Sequence, residues 1–90
     1  MSHTIRDKAK LIARVRRLKG QVEAIERGLL ADAPCGDVLQ LVASVRGAVG
    51  GLTAELMEDH LREHVLGGET AEERALGAEE LVDVIRTYLR

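Results

Sequence analysis

Four side chains in this 90-residue sequence carry donors suited to a borderline transition-metal ion: His3, Cys35, His60 and His64, with Met1 and Met57 as weaker extras. His60 and His64 are four residues apart, so on a helix both imidazoles project from one face and can bind one ion. Alone, such a pair is more often solvated surface, and a lone helical cysteine is more often packing. Spacing shifts that balance. Cys35 precedes His60 by 25 residues, which on one straight helix is about 37 Å. One helix cannot bring them together. Two copies packed antiparallel about a two-fold axis can, if they cross near Ala48 and Val49. There the stretch Gly47-Ala48-Val49-Gly50-Gly51 is mostly small and lets two backbones approach closely. Each site of such a dimer takes Cys35 from one chain and His60 with His64 from the other. His3 sits in a tail that can fold over the site with the N-terminal amine. The resulting nitrogen–sulfur set suits Ni(II) or Co(II) and also takes Zn(II), whereas Cu(I) favours more thiolate.

A second constellation is basic. Residues 1–19 hold Arg6, Lys8, Lys10, Arg14, Arg16, Arg17 and Lys19 against Asp7 alone, a balance of +6, and the rest of the chain carries −8, giving the net −2. That asymmetry places a polyanion-attracting end on an acidic body. At about 100° per residue, Arg6, Lys10, Arg14 and Arg17 fall within an arc of roughly 80° on a helix. Alone, such a row is more often a solvated face; beside the +6/−8 split, Lys10, Arg14 and Arg17, flanked by Arg16, become the candidate contacts to double-stranded DNA phosphates. Phosphate contact positions without reading sequence. With no helix-turn-helix pattern and one aromatic residue, readout through DNA shape is the expectation.

The elements that position these groups are helices. One tyrosine, one proline and a wealth of Ala, Leu, Glu and Arg give an all-α reading. Ile5, Ile12, Val15, Leu18, Val22, Ile25 and Leu29 mark the apolar side of a first helix from Thr4 or Ile5 to about Leu30. Asp32 is placed to cap a second helix, with Pro34 in its first turn. It runs from Cys35 to about Leu66, with Val38, Val42, Val45, Leu52, Leu56 and Val65 on one face, and Gly67-Gly68 ends it. Thr70 and Glu73 have the form of a capping box. A third helix reaches Leu89, starting at Ala71 or, because Gly77 interrupts it, at Ala78. Its buried side is Leu81, Val84 or Ile85, and Tyr88.

Residues 1–90 read as a single domain. A chain this short buries only about 60–65% of its unfolded surface, so it gains most from self-association as a homodimer or larger. One cysteine excludes an internal disulfide and fits a reducing compartment. No apolar run approaches the ~18 residues of a membrane span, so a soluble, cytoplasmic location is expected.

Together these segments resemble the CsoR/RcnR family of small bacterial repressors over nearly the whole chain. The resemblance is carried by Met1-Ser2-His3-Thr4-Ile5-Arg6-Asp7-Lys8, Arg14-Val15-Arg16-Arg17-Leu18-Lys19-Gly20-Gln21-Val22, Val45-Arg46-Gly47-Ala48-Val49 and Asp59-His60-Leu61-Arg62-Glu63-His64. The opening octapeptide is most similar to the nickel/cobalt-sensing branch. The resemblance implies a three-helix protomer, an antiparallel dimer and a dimer-of-dimers tetramer. It also implies that His3, Cys35, His60 and His64 ligate the metal and that metal weakens DNA binding. The copper-sensing branch typically has a second Cys where this chain has His64. The formaldehyde-sensing branch shares Cys35 but has proline after the initiator Met, where Ser2 stands here. Pro34 before the Cys, and Gly50 where the family pattern has Asn, depart from it.

Two other classes compete. His60-Leu61-Arg62-Glu63-His64 matches the H-x-x-E-H pattern of inverzincin metalloproteases, with Glu63 as general base. Five residues are a weak pattern, and a short helical chain leaves little room for a substrate cleft. The expected reading is no catalytic residue and no enzyme, with Glu63 as an outer partner of a metal-bound histidine. A metal buffer without DNA would use the same ligands and assign nothing to Arg14 and Arg17.

Overall fold

A computed structural model describes residue 4 and residues 7–88. Among these residues there is no strand, and the order is α1 (Lys8–Leu30), α2 (Cys35–His60), a π-helical turn (Leu61–Leu66) and α3 (Ala71–Tyr88). The all-helical, three-helix expectation holds. The expected helix ends at Ile5 and Leu89, the candidate ligand His3 and Arg6 of the basic row lie outside the described residues. Thr4 is itself helical, yet α1 begins only at Lys8, after a turn at Asp7. Two compact units result, one from Asp7 to Thr53 and the other holding Ala54 onward, and α2 contributes to both.

In the first unit, α1 and the first half of α2 form an antiparallel hairpin. A β-carbon on Gly28 would lie 3.7 Å from both Val38 and Leu41, and one on Gly51 would lie 3.2 Å from Arg14 Nη2. The half-buried positions of α1 are Leu11, Arg14, Leu18, Gln21, Ala24, Ile25 and Gly28, and those of α2 here include Val38, Leu41, Val45, Ala48 and Leu52. Apart from Ala24 beside Ile25, both series step by threes and fours, the spacing of a coiled-coil seam. This corrects the single apolar stripe expected of α1. Leu18 and Ile25 face the seam, but Ile12, Val15, Val22 and Leu29 are exposed. The helix carries apolar side chains on two neighbouring stripes, and only one meets α2. Leu39, Val42 and Val49 of α2 are likewise exposed, and no described apolar residue is fully buried.

The hairpin turn also departs from expectation. Asp32 has φ 54°, so it closes α1 instead of capping α2. Its N–H donates to Leu29 O at 3.2 Å and that of Ala33 donates to Gly28 O at 2.9 Å, the pairing of a Schellman motif. The carbonyl that opens α2 belongs to Pro34, which accepts from Asp37 N at 2.9 Å. Pro34 therefore precedes the helix, where its missing N–H does no harm.

In the second unit, α2 stays helical through Leu66 but widens into the π-turn after His60. Gly67 ends it with φ −94°, ψ 2°. Thr70 caps the next helix: Glu73 N donates to Thr70 Oγ1 at 3.0 Å, while the Glu73 carboxylate accepts from Glu69 N at 2.9 Å, one residue before the N-cap N–H that a full capping box uses. With that orphan donor met, α3 begins at Ala71. Gly77 does not interrupt it. Gly77 is the buried residue of α3, because there the helix backbone lies against His64: a β-carbon would sit 2.7 Å from the His64 carbonyl carbon and closer still to its oxygen. Ala78, Leu81 and Ile85 share that inward side, while Val84 and Tyr88 are exposed.

Candidate metal centre and nucleic-acid interface

The junction between α2 and the π-turn sets the histidine pair. His60 keeps a right-handed helical backbone (φ −61°, ψ −44°), and π-turns are common where helices carry function. The two rings lie side by side, centroids 4.9 Å apart and planes inclined at 44°. His60 Nε2 is 3.0 Å from Gly77 O. A carbonyl only accepts, so Nε2 donates, and in the neutral ring Nδ1 carries the lone pair. Glu80 Oε1 lies 3.9 Å from the same nitrogen. An anchor of this kind fixes ring orientation and tautomer in metal-binding histidines. It depends on the missing β-carbon of Gly77, which brings the α3 backbone within reach. Sequence reasoning missed this role of Gly77, since a helix break and a close approach both read as a lone glycine.

The remaining proposed ligands are placed differently. Cys35 is the first residue of α2 and is exposed. It belongs to the first compact unit and the histidines to the second. His3 is outside the described residues. Among the described residues no group of three His, Cys, Asp or Glu side chains gathers to hold an ion. Of the three expected ligands among the described residues, one protomer thus brings together His60 and His64. The pair suits a divalent ion in donor type and spacing. Glu63 has its Oε2 buried, and with His64, Glu69, Glu73 and Glu80 it lines a depression of about 380 Å³.

On α1, Lys10, Arg16 and Arg17 are exposed, but Arg14 is half-buried. Its guanidinium reaches across the seam to lie over Gly51. Arg14, Arg17, Leu18 and Gln21 of α1, with Ala48 of α2, wall a cleft of about 220 Å³. The basic row is therefore partly built into the seam. Gln21 was also missed, although a polar residue in the 11-14-18-21-25-28 series is a readable signal.

Comparison with known proteins completes the picture. Residues 7–87 match the model of the family described as metal-sensitive transcriptional repressor. The chain belongs to that family, the CsoR/RcnR repressors. A protein from the bioA 5′ region of Serratia marcescens is 50% identical over 91 residues, with both chains covered in full. The transcriptional repressor RcnR of Citrobacter koseri is 41% identical over 90 residues, again with full coverage of both. Among solved structures, a variant of the formaldehyde-responsive regulator FrmR from Salmonella enterica serovar Typhimurium superposes with a TM-score of 0.86. It is 45% identical, and the match covers 96% of this chain and 98% of that one. This repressor's family is not one of enzymes, which sets aside the metalloprotease reading of His60 to His64. A transcriptional repressor has DNA as its partner. No helix among the described residues is long and apolar enough to cross a membrane.

Proposed function

We propose that this repressor binds operator DNA in its metal-free form and releases it on taking up Ni(II) or Co(II), with Zn(II) as a further ion the site accepts. The observation that carries the reading is the His60/His64 pair, with His60 anchored on Gly77 O. His60 and His64 of one protomer and Cys35 of a second hold the ion. His3 and the N-terminal amine close the set, and Glu63 supports it from outside. When bound, the ion supplies a cross-link among these donors. Cys35 and His60 are the first and last residues of α2, which is why the site is shared between protomers. The 90 residues act as one domain within that homodimer or tetramer.

Lys10, Arg14, Arg16 and Arg17 hold DNA phosphates. The tail that carries His3 leads into α1, so ordering the tail re-aims these bases. A coupling of about 1–3 kcal/mol is typical of such linkage. Similarity to RcnR and the opening octapeptide favour nickel and cobalt. Similarity to FrmR, together with the exposed Cys35, favours a second reading: a formaldehyde-responsive repressor using the Cys35 thiol and the N-terminal amine.

Fluorescence anisotropy on an operator fragment separates them. Release by nickel or cobalt that disappears in Cys35→Ala and His60→Ala supports the metal sensor. Release by formaldehyde alone moves the effector to the second reading. Full metal-driven release in His3→Ala removes the tail from the mechanism. Arg14→Ala with Arg17→Ala is expected to weaken DNA binding and flatten its salt dependence; unchanged binding would leave only a metal buffer.

A further inference from the structure

We propose that the cleft between Arg14, Arg17, Leu18, Gln21 and Ala48 seats one phosphodiester group of the DNA backbone, and that the small residues Ala48 and Gly51 keep it open. The proposal rests on the repressor reading and names the atoms through which part of it works. The lining is two arginines, a glutamine, a leucine and an alanine around about 220 Å³, room enough for a tetrahedral anion. Guanidiniums bind phosphate oxygens in a bidentate way, and the Gln21 amide adds two donors.

Arg14 is the half-buried member. Its Nη2 rests 3.2 Å from where a Gly51 β-carbon would stand, so its stem is laid across the seam instead of trailing in solvent. A cation held this way is less screened than one at the surface and has already given up part of its side-chain freedom before DNA arrives. Leu18 and Ala48 exclude water from one side, which strengthens the charge-assisted bonds. The neighbours on α1 identify the anion as part of a polymer. Lys10, Arg14 and Arg17 follow one another at intervals of about 6 and about 4.5 Å along the helix axis, a row that a single small anion would leave mostly unused.

The test exploits a neutral way to close the cleft. Ala48→Leu fills it without altering charge, and Gln21→Leu removes the amide from the opposite wall with little change of shape. A phosphate seat carries no base information, so a fluorescein-labelled duplex of arbitrary sequence at low salt reads it. Anisotropy titrations over a salt series are run on wild type and both variants, with thermal melts and sedimentation to compare fold and assembly. Both variants are expected to bind roughly tenfold more weakly; the log–log salt slope is expected to fall by about 0.9 for each seat that Ala48→Leu closes, and to stay at the wild-type value in Gln21→Leu, whose amide is uncharged. Unchanged affinity in Gln21→Leu overturns the seat, whatever Ala48→Leu does to packing. Wild-type affinity and slope in a folded, normally assembled Ala48→Leu variant also overturn it, since filling the cleft has then cost no phosphate contact. Failure of the wild-type protein itself to bind the duplex at low salt overturns the repressor reading along with the seat.

Discussion

Gly28 and Gly77 both sit within helices, each at a helix–helix seam, yet a β-carbon would meet different surroundings at each. At Gly28 it would touch side-chain methyls of Val38 and Leu41 at 3.7 Å, ordinary van der Waals contact. At Gly77 it would run into the backbone of His64. The hairpin seam is spaced by side chains, some polar, and leaves a cleft beside Arg14 and Gln21. The seam between α3 and the π-turn is backbone against backbone, and it holds a histidine ring by a main-chain carbonyl. The first has room to accept something; the second holds the His60 ring still.

The largest expected effect comes from putting the same methyl group into both seams. Gly77→Ala has no space, and overpacking of this kind costs about 1–3 kcal/mol or more, against about 1 kcal/mol gained in helix propensity. Chemical denaturation at fixed protomer concentration is expected to show clear destabilisation. Metal affinity is expected to fall too, because α3 must move and take Gly77 O away from His60. Gly28→Ala is expected to be neutral or stabilising by about 0.5 kcal/mol, propensity counting for less in a last turn. Equal losses at both positions would erase the distinction between the seams.

The helix ends next to the seams give a smaller contrast. Thr70 Oγ1 accepts from Glu73 N, and Thr70→Ala is expected to lose about 1 kcal/mol by orphaning that donor. At the other hairpin end, Asp32 is held at φ 54°. A non-glycine residue there costs about 1–2 kcal/mol, and glycine costs about 0.5–1 kcal/mol in unfolded-state entropy. Asp32→Gly is therefore expected to stabilise by about 0.5–1 kcal/mol in thermal or urea unfolding. A loss on Asp32→Gly would mean that the aspartate side chain contributes more than its backbone strain costs.

Much of this was legible in the sequence, and the errors share a cause. Three helices, the Thr70/Glu73 cap and the His60/His64 pair follow from spacing alone. Asp32 was misplaced because aspartate serves a helix start and tolerates a left-handed turn, and only the chain's path decides which. The apolar side of α1 was misdrawn because Val15 and Val22 lie one residue from Arg14 and Gln21, and composition favours the apolar stripe for burial. The π-turn is invisible in Leu61–Leu66, whose residues suit an α-helix equally well. The close contact that the turn makes with the neighbouring helix is tertiary, and the missing β-carbon of Gly77 is its trace in the sequence.

The smallest expected effect tests whether packing or surface charge maintains the α-to-π junction. Arg62 Nη2 donates to Glu58 Oε1 at 2.8 Å, four residues back across that junction, with both side chains mostly exposed. A pair of this kind is worth about 0.3–0.5 kcal/mol. If the close approach of Gly77 to His64 sets the π-turn, Arg62→Ala loses no more than that and leaves the metal-binding isotherm unchanged. The expected small loss shrinks further in high salt, where an exposed pair is screened. A drop above 1 kcal/mol, or altered metal affinity, would show that the ion pair shapes the junction and that the second seam is less self-sufficient than its backbone contact implies. The same measurement on Gly77→Ala then serves as the reference for what losing the junction looks like.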